Sequence, residues 1–155
     1  MIMKKFTFLV LACLFISTGA YAQLELPAPS PAAMVSQEFG MTKATIKYSS
    51  PGVKGRKIFG DLVPYDKLWR TGANKATSIE FSTNAMIEGE EVEAGKYSIF
   101  TIPGKSSWTL ILNKETELWG TGGYSEDMDV VRIQVQPKEV PMRERMIFYF
   151  ADFNN

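Results

Sequence analysis

Residues 49–75 read SSPGVKGRKIFGDLVPYDKLWRTGANK and hold most of the chemistry this chain can offer. Arg70 can clamp a carboxylate or phosphate through two parallel N–H bonds. Asn74, four residues on, can orient an amide or hydroxyl, and Gly72 between them lets a ligand approach the backbone. Trp69 supplies a flat apolar wall. A plainer reading makes Trp69 a core plug, Arg70 its buttress and Gly72-Ala73-Asn74 a turn. Upstream, Arg56 and Lys57 follow Gly55 and precede Asp61. Two cations beside glycine-rich backbone form a candidate anion site, although charged loop tips are also ordinary solvated surface. These six residues (Arg56, Lys57, Asp61, Trp69, Arg70 and Asn74) are the candidate ligand contacts.

Other chemistries are weaker or closed. The chain has no histidine, which excludes Ser-His-Asp and Cys-His catalysis and the usual zinc sites. Asp61 and Asp66 lie close enough in sequence to serve a carboxylate-dependent hydrolase, which needs two carboxyls about 5–10 Å apart. The run Gly120–Asp129 carries Glu126, Asp127 and Asp129. Their oxygens suit calcium, but the spacing matches no EF-hand loop. Trp119 and Tyr124 can stack on a sugar ring or plug the core. The sequence calls for no cofactor and no metal.

These residues need a scaffold, and the rest of the chain reads as strands. Ala44, Ile46 and Tyr48 alternate with Lys43, Thr45 and Lys47, the period of a half-buried strand. Ile79 and Phe81 repeat the pattern with Ser78, Glu80 and Ser82 facing out. Glu88-Gly89-Glu90 signals a hairpin turn, and Ala94-Gly95-Lys96 a second. Tyr97–Ile102 is apolar at nearly every position, as a central strand is. Trp108, Leu110 and Leu112 mark another strand after the turn at Pro103-Gly104-Lys105. Val131, Ile133 and Val135 mark the next, and Met146–Phe150 the last. Short strands with turn signals between them predict an all-β fold, an antiparallel sandwich or barrel-like sheet. Residues 49–75 are its one long loop, with a short helical turn expected in Ile58–Lys67. A connection this long is functional or disordered as a rule, and its aromatic content argues against disorder. The apolar strand near the C-terminus leaves an edge unpaired. A further strand or a partner chain must cover it, so association through this strand is one expectation.

The start of the chain predicts export. Lys4 and Lys5 precede an apolar run from Phe6 to Ile16, and Ala20-Tyr21-Ala22 supplies small residues for cleavage before Gln23. This is a signal-peptide pattern over residues 1–22, and the run is well short of the roughly 20 residues that span a bilayer. Cys13 admits a lipoprotein reading, but cleavage there leaves a poor apolar region. Residues 23–32 form a Pro-rich leader that favours polyproline II, and 33–155 a single β-rich domain. Cleavage removes the only cysteine and two lysines, leaving 15 basic against 17 acidic residues. No basic patch suggests nucleic acid, and no second apolar segment suggests a membrane span.

Four stretches carry a family resemblance: Ser50–Gly60, Leu62–Tyr65, Trp69–Asn74 and Ala94–Pro103, with Trp108–Lys114 adding to them. Together they resemble the signature of domain-of-unknown-function family 2911, a group of exported bacterial proteins. The resemblance covers nearly the whole exported part and implies a β-rich envelope domain without an assigned activity. Members of that family usually run on past this chain's end with another strand pair.

The residues and the resemblance together point to an exported, non-catalytic binding domain, periplasmic or extracellular. Its expected partner is a small anionic or glycan ligand, or an envelope protein, held by residues 49–75. A carboxylate-dependent hydrolase of envelope polysaccharide and a structural assembly module are the alternatives.

Overall fold

The computed structural model of the protein describes residues 26–151. The signal-peptide reading of residues 1–22 lies outside them. Eight strands form: β1 (Ala32–Phe39), β2 (Thr42–Ser49), β3 (Thr77–Phe81), β4 (Ala85–Ile87), β5 (Glu90–Val92), β6 (Gly95–Pro103), β7 (Trp108–Asn113) and β8 (Asp129–Val135). Six make one antiparallel sheet in the order β1-β2-β3-β6-β7-β8, and β4-β5 is a separate hairpin. The fold is therefore all-β and antiparallel, as the alternation predicts. The one helical element is a 3-10 turn, Glu126–Met128.

Local sequence explains each piece. The β4–β5 turn places Glu88 at φ 50° and Gly89 at φ 91°. Two positive φ values are what a tight two-residue hairpin demands, and glycine meets that demand without strain. Strand β6 is bordered by β3 and β7, so its backbone is paired on both sides and its side chains are covered on both faces. That is why it carries no polar–apolar alternation. Tyr97 and Ile99 face one core, with Ala44, Ile46, Ile79, Phe81, Val92, Leu112 and Val131. Phe100, two-sided neighbour to none of these, faces a smaller core with Ala76 and Ile111. The β4–β5 hairpin covers the first core through Ala85, Ile87 and Val92. The second core is closed by Leu68 from the long loop and by Leu118 and Tyr124 from the β7–β8 connection.

Three expectations need correction. Ser78 does not face solvent: it is 8 % exposed, because the β7–β8 connection and Ala76 cover its side of the sheet. Ile58–Lys67 forms no helix. It is a set of turns, closed by Val63 N–H to Ile58 O at 2.8 Å and Gly60 N–H to Val63 O at 2.9 Å. Gly60 sits at φ 84°, and Pro64 has no N–H to continue a helix. Met146–Phe150 is not a strand. Arg145 bridges Gly52, after which the chain leaves the sheet edge and crosses its face. There Phe148 packs edge-on against Tyr48 at 4.9 Å, and Phe150 against Phe39 at 5.1 Å. The alternation in this segment records one buried side, not a hydrogen-bonded neighbour. The end of the Pro-rich leader is tied to the domain. Pro31 O accepts from Ser50 N–H at 2.8 Å, Ser30 O from Asn74 Nδ2 at 3.4 Å and Pro29 O from Arg145 Nη1 at 3.5 Å.

Candidate functional site

The long loop does not swing free of the sheet; its second half continues the β3 position alongside β6. Trp69 and Thr101 exchange two backbone hydrogen bonds, at 2.8 and 2.9 Å. Asp66 N–H reaches Pro103 O at 2.8 Å. In extended backbone successive side chains point to opposite faces. Trp69 and Arg70 are therefore separated by the sheet itself, and the two cannot build one site.

Trp69 lies on the face of the larger core, at its end. Its ring meets Phe59 at 6.0 Å and Trp108 at 6.5 Å, and Phe59 meets Trp108 at 4.9 Å, all edge-to-face. Its indole N–H donates to Gly72 O at 3.3 Å. The tryptophan is thus a plug that fixes the loop, the plainer of the two readings, although Phe59 and Leu62 keep 39 % and 51 % exposure. Gly72 is fixed by space: a Cβ there would stand 2.8 Å from Thr77 Oγ1. The close approach is to the protein's own strand, not to a ligand.

Arg70 lies on the other face, opposite Phe100. Among the described residues its side chain has neither a hydrogen-bond nor an ion-pair partner, and its Nε is buried. Its Nη1 lies 3.9 Å from where a Cβ on Gly120 would be. The guanidinium therefore passes beneath the Gly120 turn of the β7–β8 connection. The sequence shows no sign of this neighbour, which comes from a connection fifty residues away.

The remaining candidates divide. Arg56 is turned back on its own loop, donating through Nε to Val53 O at 3.0 Å and through Nη2 to Gly52 O at 2.6 Å. It holds the turn at Lys54-Gly55 rather than reaching outward. Lys57 and Asp61 are exposed, and neither side chain has a partner among the described residues. They flank the turn that carries Phe59 and Leu62. Asn74, at φ 59°, ties the loop to the leader and donates to Ser49 Oγ at 3.3 Å. Asp66 sits against the β6–β7 hairpin and Asp61 on the outward turn, and both are exposed.

The acidic run is consumed by cations and donors. Asp129 accepts from Asn113 Nδ2 at 2.8 Å, Tyr124 Oη at 2.7 Å and Arg132 Nη1 at 2.9 Å, and Glu126 pairs with Arg132 at 3.4 Å. Among the described residues no group of three or more acids could hold a metal ion. Tyr124 stacks on Phe100 at 5.1 Å, so it is core rather than a sugar platform, while Trp119 stands 70 % exposed. Burial, with the Asp129 carboxylate beside it, pushes the Tyr124 phenol up to about 12. The unfolded phenol titrates near 10. Its contribution to stability is therefore complete below pH 10 and is lost as pH rises from 10 to 12. Burial also raises the Tyr97 phenol, and a phenolate absorbance titration at 295 nm should show Tyr124 as the last tyrosine to ionise. Tyr124→Phe should remove that step and flatten the fall of the melting midpoint over the same window. An unchanged titration would mean that Tyr124 is not the late group.

Ser98 is not among the sequence candidates, because it is one small residue in an apolar strand. It is completely buried, and its Oγ has no partner. A hydroxyl in the middle of an otherwise apolar central strand was the available signal.

Among the described residues no helix is long and apolar enough to cross a membrane. No curated protein and no solved structure matches the chain. Residues 30–155, which take in every strand and both halves of the Arg70 neighbourhood, match the family described as Protein of unknown function (DUF2911). The chain belongs to that family.

Proposed function

We propose that the protein is an exported binding domain that takes a small anionic ligand through the 49–75 loop, with Arg70 as the anchor. The charged start, short apolar run and small cleavage residues of positions 1–22 support export. The observation that carries the binding reading is the Arg70 side chain. A guanidinium with a buried, unpartnered Nε costs free energy that no contact within the described residues returns. An oxyanion on its N–H edge would return it, through two charge-assisted bonds.

The test is a thermal melt of the purified protein against acetate, D-glucuronate, inorganic phosphate and D-glucose at fixed ionic strength. An anion at about 100 times its dissociation constant adds about 2.7 kcal/mol, a rise of several degrees at this size. The rise should appear with at least one anion, be absent with glucose, and vanish in Arg70→Met. A rise that survives Arg70→Met would remove Arg70 from the site. No rise with any anion would sink the reading.

A second reading has its own observation. Phe59 and Leu62, flanked by unpaired Lys57 and Asp61, give the outward turn an apolar centre and a charged rim, the composition of a small protein-docking surface. An envelope protein captured by wild type and lost on Phe59→Ser, with Arg70→Met still binding it, would favour this face.

A further inference from the structure

Two buried side-chain polar atoms among the described residues have no partner, Arg70 Nε and Ser98 Oγ. They are not scattered. The Trp69–Thr101 bridge sets Arg70 opposite Phe100 on β6. Ser98 is two residues along β6 from Phe100 and so points to the same face. The two positions are diagonal neighbours across adjacent chains, a relation that brings a long side chain within reach of a short one. Arg70 lies under a cover, the Leu118–Gly120 part of the β7–β8 connection, and Ser98, on the same face, is completely buried. Ala76 N–H donates to Leu118 O at 2.9 Å, and Gly120 N–H to Asn74 O at 3.1 Å, closing that cover.

The neighbours on either side of Ser98 narrow what it can bind. Asn113, its partner on β7, is fully committed. Its Nδ2 donates to Ser125 O at 2.9 Å and Asp129 Oδ1 at 2.8 Å, and its Oδ1 accepts from Glu115 N–H at 2.9 Å. Ser78, its partner on β3, adds a second small hydroxyl to the floor. Around them stand Phe100, Ala76 and Leu118. The patch is therefore a cation and hydroxyl donors set in an apolar surround, and the acid beside it, Glu117, which precedes Leu118 in the cover, is already paired with Lys75 and Lys96.

We infer that the ligand's anionic group is a carboxylate, and that Ser98 Oγ donates to it beside Arg70. The inference rests on the Arg70 reading above. A carboxylate has two oxygens and about four acceptor positions. One lone pair on each oxygen takes the Nε–H and Nη–H edge of Arg70. A third takes the Ser98 hydroxyl, which satisfies both orphaned atoms at once. A phosphate brings a third oxygen and additional negative charge, and the apolar surround has nothing to solvate them. The matching ligand class is a small organic acid or a sugar acid presented by its carboxylate.

Acetate and inorganic phosphate, at matched ionic strength, are the probes. The readout is the side-chain ¹H–¹⁵N correlation of Arg70 Nε–H, followed through each titration in wild type and Ser98→Ala, with Arg70→Met as the assignment and binding control. Acetate should move that peak saturably and phosphate should not. Ser98→Ala should weaken acetate by about fivefold or more, the loss of one hydrogen bond to a charged group. The variant removes a hydroxyl that has no partner in the free protein, so its melting midpoint should not fall. Acetate affinity unchanged in Ser98→Ala would overturn the role of Ser98 while leaving Arg70 as the anchor. Phosphate binding as tightly as acetate in wild type would overturn the carboxylate assignment, independently of any variant. Absence of saturable movement with either probe would overturn both this inference and the Arg70 reading.

Discussion

Phe100→Ala is expected to destabilise the protein by about 3–5 kcal/mol, the cost typical of emptying a buried aromatic site. Phe100 is 0 % exposed and stands on β6, whose backbone is paired on both sides. The cavity cannot be filled by a hinge or an edge moving inward. The ring also holds the β7–β8 connection in place, because Tyr124 stacks on it at 5.1 Å and Leu118 shares its core. The loss is therefore expected to have a local signature as well as a global one. Residues 114–128 should become the first site of proteolysis in the variant. Total stability of small domains is about 5–15 kcal/mol, so the variant should fall near the edge of folding. Urea denaturation of the two proteins measures it. A loss below about 1 kcal/mol would mean that the smaller core does not depend on this residue.

Arg70→Met should act in the opposite direction on stability while abolishing anion binding. The guanidinium has no partner among the described residues, and its Nε is buried. Leaving a buried donor unsatisfied costs about 1–3 kcal/mol, and methionine has the length and flexibility to keep the stem's packing without the donor. A gain of about 1 kcal/mol in the ligand-free protein is the expected result, read from paired thermal and urea melts. Arg70→Ala is a poorer experiment, because it also removes the stem that lies against the sheet. A ligand-free Arg70→Met that is less stable than wild type would show that the charge is already satisfied, and the binding reading would lose its basis. Sites that give up stability for function behave in the expected way.

The strands were legible where periodicity and pairing coincide. β2 and β8 alternate because one side of each faces a core, and Glu88-Gly89 marks its turn because that turn needs positive φ. Met146–Phe150 shows the limit of the same signal. Its alternation is real, but burial of Phe148 and Phe150 says which side is covered and nothing about what the backbone bonds. The loop between β2 and β3 was recognisable by length and composition. Its interior was not, because Ile58–Val63 is set by turns whose hydrogen bonds depend on Gly60 and Pro64 together. Of the candidate site, Arg70 was legible as a residue and illegible as a place. Its neighbours Gly120 and Ser98 come from two other segments, and Ser98 declares itself only once burial is known. The pairing of Trp69 with Arg70 failed for a reason the sequence already held: adjacent residues in extended backbone cannot share a face.

The junction of Gly52 with Arg145 has a consequence for the order in which the chain comes together. Four of the sheet's five strand pairings close through hairpins or short excursions, quickly, because little chain must be searched, while β2 with β3 spans the long loop. The Gly52–Arg145 bridge, with Ser50 Oγ donating to Met146 O at 2.7 Å, joins segments about ninety residues apart. It can form only after the sheet has brought both ends to the same corner. Met146 should then be among the latest amides protected during refolding and the earliest to exchange in the native state, in a segment that opens as a unit while the sheet behind it stays closed.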